Sequence, residues 1–115
     1  MIIEITSVGG SPAEQIRDQI AGLITTGALA RGDRLPSVRQ LATDLQVAPG
    51  TVAKAYRALE ASGLIVSRAG SGSRVSDTAS PVSPAVARAA RRLAASSRED
   101  DLDLDDAIRV LRAVW

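Results

Sequence analysis

Apolar residues recur at steps of three and four through residues 13–24, where Ala13, Ile16, Ile20, Leu23 and Ile24 form one stripe. That period predicts an amphipathic helix. Ser11 and Pro12 supply its N-cap and first helical residue, and Gly27 stops it. Upstream, Ile2-Ile3-Glu4-Ile5 predicts a short strand closed by the Gly9-Gly10 turn. Residues 32–36 read as an extended connector, because Pro36 disfavours a helical Leu35. Ser37 and Gln40 then have the spacing of a capping box, with the serine capping and the glutamine reaching back. The short helix behind them buries Val38, Leu41, Ala42 and Leu45. After a turn at residues 46–48, Pro49 opens a third helix that buries Val52, Ala55 or Tyr56, and Leu59. Gly63 is suited to the left-handed residue after its end, with Leu64 folding back as apolar partner.

Residues 64–68 and 73–76 then predict a β-hairpin around Ala69-Gly70-Ser71-Gly72. A Ser/Thr/Pro/Ala stretch at 77–83 reads as a linker, and two further amphipathic helices follow at about 84–97 and 103–114. The chain therefore divides into 1–76, a linker at 77–83, and a helical region at 84–115. Helix, short helix, tight turn, helix and hairpin is the order of a winged helix-turn-helix. The expected class is mainly α with a small β-wing, followed by a two-helix dimerisation tail. In such a fold the third helix fits a major groove, and its N-terminal dipole favours phosphate.

Composition narrows the chemistry. The 115 residues contain no Cys and no His, which removes thiolate and imidazole ligands, thiol nucleophiles and the commonest general base. No enzyme, metal or cofactor is expected. No apolar run reaches the roughly 18 residues of a membrane span, and the N-terminus lacks a signal-peptide pattern, so a cytoplasmic protein is expected. A net charge of +1 hides an uneven distribution. Residues 31–74 hold seven basic and three acidic residues, whereas 99–106 hold six acids and no base. A basic middle suits a polyanionic partner.

Three ordered blocks make the reading specific: GDRLPSVRQLA at 32–42, VAPGTVAKAYRALEASGLI at 47–65, and GSGS at 70–73. Together they resemble the GntR family of bacterial transcription regulators, and the TVAKAYR run with the short tail resembles its small YtrA-type branch. The resemblance implies a sequence-specific DNA-binding regulator, a dimeric repressor on a palindromic operator near its own operon. The arginine that follows Pro-Ser in the second helix contacts DNA in family members, and here it is Arg39. The DNA-facing set implied is Arg34, Ser37, Arg39, Pro49, Gly50, Thr51, Lys54, Arg57, Gly70, Ser71 and Gly72. Four departures stand out: Ala48 replaces a capping residue, Gly50 removes a polar side chain that reads bases, Ala69 stands where the family often has a basic residue at the wing tip, and Arg74 where it usually has an apolar or aromatic one. Intramolecular pairing offers other roles, Arg39 with Asp44, Arg57 with Glu60 or Glu14, and Arg34 with Asp33.

The tail carries a second apolar pattern. Leu93, then Leu104, Ile108, Leu111 and Trp115, fall at helical spacing and are the expected dimerisation residues. Two short helices cannot bury such stripes alone, and two-fold pairing would match a palindrome. The family resemblance also implies a small-molecule effector of unnamed chemistry. About 30 residues cannot enclose one in a single protomer, so its site would lie at the dimer interface. Asp101-x-Asp103-x-Asp105 imitates a calcium loop, but Asp106 and Arg112 stand where Gly and Glu are required. Acids at a helix N-terminus, with Asp105 four residues before Arg109, explain it better. Two other readings stay open: a winged helix used for protein contact, and the head of a regulator fused to a pyridoxal-phosphate enzyme. Trp115 ends a complete apolar helix, which speaks against the latter.

Overall fold

The computed structural model describes all residues, Met1–Trp115. It contains α1 (Pro12–Thr25), α2 (Val38–Leu45), α3 (Pro49–Ala61), β1 (Ile65–Arg68), β2 (Gly72–Val75), α4 (Pro84–Glu99) and α5 (Leu104–Val114). They fall into two compact units, Met1–Pro81 and Val82–Trp115.

In the first unit, α3 packs against both α1 and α2. Ile16, Ile20, Val52 and Leu59 are fully buried, and Ile24, Ile65 and Val75 nearly so. Each contributes about 1.5–3 kcal/mol relative to exposure. Tyr56 joins this core, and its hydroxyl donates to the Pro36 carbonyl at 2.7 Å. Burial pushes the phenol up from 10.0 to about 12, because the phenolate would lose its hydration.

The caps explain where the helices begin and end. Ser11, Ser37 and Ser83 each accept an amide from the first turn of their helix. Gly63 adopts φ +76°, with Gly63 N–H donating to Glu60 O at 3.0 Å and Leu64 N–H to Leu59 O at 3.0 Å. The end of α2 repeats this pattern with Gln46 at φ +57° in the left-handed position, where Val47 N–H reaches Ala42 O at 3.0 Å. The sequence gives little sign of that, since glycine is the usual residue there.

Four local expectations change. Residues 2–5 form no strand, because no neighbouring backbone offers a ladder. Instead Gln15 and Gln19, one turn apart on α1, bond both ways with the main chain. Gln19 pairs with the Glu4 amide and carbonyl at 2.9 and 2.7 Å, and Gln15 with those of Thr6 at 2.8 and 2.8 Å. The capping box at Ser37 is half formed, since Gln40 turns forward to Asp44 at 2.8 Å. Residues 32–35, expected as plain connector, lie alongside β2. Leu35 N–H donates to Ser73 O and Val75 N–H to Asp33 O, both at 2.9 Å, and Arg34 bridges Arg74. Finally, packing in the first unit runs past the hairpin. Ala79 is buried, and Arg31 Nε donates to its carbonyl at 2.7 Å.

In the second unit, α4 and α5 pack against each other. Asp103 and Asp106 form the reciprocal capping box that α2 lacks, with bonds of 2.8 and 3.2 Å. Arg109 pairs with Asp106 at 3.0 Å and not with Asp105, because Asp106 already faces that turn. The Asp103 amide holds the Asp106 carboxyl below its usual range, with Arg109 adding to the effect.

Candidate nucleic-acid interface

The core of α3 is set by Val52, Ala55, Tyr56 and Leu59. Helical geometry then places Gly50, Lys54 and Arg57, at spacings of four and three, on the opposite face. All three are exposed, and a Cβ added at Gly50 would meet nothing within 4 Å. This face therefore has room at its N-terminal turn and positive charge along its length. Thr51 lies to one side and is half-buried. Ala48 occupies the N-cap position with extended backbone and makes no side-chain cap bond; Pro49 has no N–H and Thr51 N–H donates to Ala48 O at 3.0 Å, which leaves the Gly50 amide open to an incoming anion.

Three of the four internal partners suggested for the arginines are engaged elsewhere, and the fourth, Glu14, forms no ion pair with Arg57. Asp44 accepts from Gln40, Glu60 accepts from the Ser67 hydroxyl, and Asp33 accepts the Ala30 amide at 2.8 Å. The ion pairs are Arg17–Asp18 and Arg109–Asp106. Arg39, exposed on the first turn of α2, Lys54 and Arg57 therefore have no acid to neutralise them. Ser37 and Pro49 have helix-starting roles, as cap and first residue respectively.

Arg34 is brought to the wing. Its guanidinium donates to the Ser71 carbonyl at 3.0 Å, and its Nε would lie 3.9 Å from a Cβ added at Gly72. Gly70 and Gly72 sit at φ +82° and +77°, so the turn itself calls for glycine at both positions. On the other side of the hairpin, Ser67 bonds both Ser73 (2.7 Å) and Glu60 of α3, fastening the wing to that helix. Arg68 enters the sequence reading only as charge, and Arg74 as charge and as a departure from the family's wing pattern; neither is given a place on DNA. Their alternation with inward Ser67, Ser73 and Val75 was the available signal.

The expected dimerisation set converges as well. Leu93, Leu104, Ile108, Leu111 and Trp115 line one apolar groove of about 380 Å³ between α4 and α5. Leu104 is 74 % and Trp115 97 % exposed, so the groove is open. No helix is long and apolar enough to cross a membrane.

Comparison with known proteins agrees with this layout. Residues 12–75 match the family described as "Bacterial regulatory proteins, gntR family". The HTH-type transcriptional regulator Rv1152 of Mycobacterium tuberculosis is 40 % identical over 101 residues, covering 88 % of this chain and 83 % of that one. The HTH-type transcriptional repressor YtrA of Bacillus subtilis is 42 % identical over 79 residues, covering 68 % and 61 %. Among solved structures, YtrA from Sulfolobus acidocaldarius, a GntR-family transcription factor, superposes with a TM-score of 0.62 at 38 % identity, covering 84 % of this chain and 100 % of that one. With α2–α3 and the wing in the family's order, and the match spanning α1 through β2, this chain belongs to the GntR family of bacterial regulatory proteins.

Proposed function

We propose that the chain is a homodimeric transcriptional repressor that reads a palindromic operator near its own operon and acts in the cytoplasm. The observation that carries this reading is the outward face of α3, where Gly50, Lys54 and Arg57 stand opposite the core and neither Lys54 nor Arg57 forms an ion pair. Arg39 supplies a base contact from α2, with the Thr51 side chain and the open Gly50 amide of α3 anchoring phosphate. Gly70, Ser71 and Gly72 present the wing tip, braced by Arg34. The exposed groove in the second unit takes the same groove of a second copy, setting the spacing of two half-sites. A small-molecule effector that relieves repression would bind where those two grooves meet.

Selection of duplexes from a random pool tests the reading, followed by a salt titration on the selected sequence. With about four phosphates neutralised per protomer, log K against log[salt] falls with a slope near −7, from about −0.9 per phosphate. Arg39→Ala relaxes the selected preference at one base pair per half-site by about 1–3 kcal/mol. A flat salt dependence and no selected sequence would sink the proposal.

A further inference from the structure

The stretch expected as a free linker, residues 77–83, begins as a folded turn. Ser76 is buried, and its amide donates to the Leu64 carbonyl at 2.9 Å. Its hydroxyl accepts the Thr78 amide at 3.2 Å and bonds the Thr78 hydroxyl at 2.8 Å. The Ala79 amide closes the turn on the Ser76 carbonyl at 3.2 Å. A serine hydroxyl that bonds the main chain two residues on mimics a backbone turn.

Arg31 holds this turn from 48 residues upstream. Gly32 N–H donates to the Val75 carbonyl at 2.9 Å, which sets residues 31–32 beside the end of β2. From there Arg31 Nε donates to Ala79 O at 2.7 Å. A charged donor makes such a bond stronger than an amide would. Arg31 forms no ion pair that would compete for its guanidinium.

Beyond Ala79 the chain has little slack. Ser83 is already spent as the cap of α4. Ser80 and Ser83 each precede a proline, which biases both toward extended backbone. The four residue steps from Ala79 to Ser83 span at most about 14 Å. With the turn released back to Ser76, seven steps would span up to about 25 Å. The difference, about 11 Å, equals about three base pairs at about 3.4 Å each.

We propose that Arg31 is a positioning residue for operator recognition: by fastening Ala79 it fixes where the joint leaves the first unit, and so restricts the half-site spacing that a dimer accepts. The inference rests on the dimeric reading above and adds to it a determinant of spacing. Each base pair of offset also turns the groove by about 35°, so a tether longer by three residues changes which operators can be bridged.

The test places two copies of the half-site, as selected by the wild-type chain, at every spacing across one helical turn. Affinities are read for wild type, for R31A, and for a chain with three glycine or serine residues inserted after Val82. The strap predicts one favoured spacing for wild type and a range wider by about three base pairs per protomer for R31A. The insertion reproduces the wider range with the strap intact. Binding to a single half-site stays as in wild type for both variants. An unchanged spacing profile in R31A overturns the proposal, whatever the melting temperature does, because the bond would then serve stability alone. A loss shared equally by single half-sites and all spacings overturns it too, and would make Arg31 a phosphate contact. Amide exchange in the DNA-free chain reads the strap by itself. The Thr78 and Ala79 amides are protected in wild type and exchange freely in R31A, and equal exchange in both overturns the strap. If wild type prefers no pair of half-sites over a single one, the dimeric reading has failed, an outcome distinct from failure of the strap.

Discussion

The two units spend their apolar residues in opposite ways. Met1–Pro81 closes around Ile16, Ile20, Val52 and Leu59, which are fully inaccessible, and its acids and amides are tied into caps and stitches. Val82–Trp115 buries only Ala87, Ser97 and Ala107 while exposing Val86, Leu102, Leu104, Ile108, Val110, Leu111, Val114 and Trp115. A two-helix unit without a core of large side chains gains little from its own folding. The first unit is therefore a self-sufficient body, and the second, on the reading proposed above, is half of an interface. Charge follows the same division. The first unit leaves Arg39, Lys54 and Arg57 without an ion pair on the faces of α2 and α3, whereas in the second unit Asp103 and Asp106 are spent on the cap of α5 and Arg109 pairs with Asp106.

The largest effect that separates the units comes from emptying each apolar surface. Ile20→Ala destabilises the first unit by about 2–5 kcal/mol, since a fully buried side chain leaves a cavity. Chemical denaturation shows that loss at every protein concentration. Ile108→Asp leaves the first unit's unfolding midpoint unchanged and instead shifts the concentration at which the chain associates. A concentration-independent loss for Ile108→Asp would mean that the second unit's groove is not an interface.

A smaller effect tests how α3 trades stability for an open end. Ala48→Asn places a carbonyl oxygen where no side-chain cap exists and stabilises the unit by about 0.5–2 kcal/mol. The same substitution puts a side chain beside the Gly50 amide that is available to phosphate, so DNA affinity does not rise with melting temperature. A melt without any gain would show that the end is already satisfied.

How much of this was legible in the sequence depends on the range of the forces involved. Helix periods, Ser-Pro starts and the Gly63 stop are local, and the structure follows them closely. The groove residues from Leu93 to Trp115 were legible for the same reason, since one helical period sets each stripe. The misread features turn on competition between alternative partners, some of them distant. Ile2-Ile3-Glu4-Ile5 has a strand's alternation, but Gln15 and Gln19 take the bonds a strand would have given. Gln40 can accept from the Ser37 amide or donate to Asp44, and it donates to Asp44. The third strand-like segment at Arg34 depends on Ser73 and Val75, about 40 residues away, which no local pattern encodes.

Tyr56 gives the smallest signal and the cleanest, being the chain's single tyrosine. Its neutral form is favoured by burial, so the contribution to stability is fully present below pH 10.0 and is lost as pH rises through about 12. Phenolate absorbance should emerge near pH 12 in the folded chain and near 10.0 in denaturant. Coincident titrations would place the hydroxyl in solvent and break its link to Pro36.

The division of labour between the two units is tested most directly by removing residues 101–115 and following both association and DNA binding. Sedimentation of the truncated chain should show a monomer with the first unit's melting transition intact. Gel shifts should show equal, weak binding to a half-site and to the full palindrome, with the palindrome's advantage of about 10²–10⁴ gone. A truncated chain that still sediments as a dimer and still prefers the palindrome would place the interface on the first unit and contradict the account.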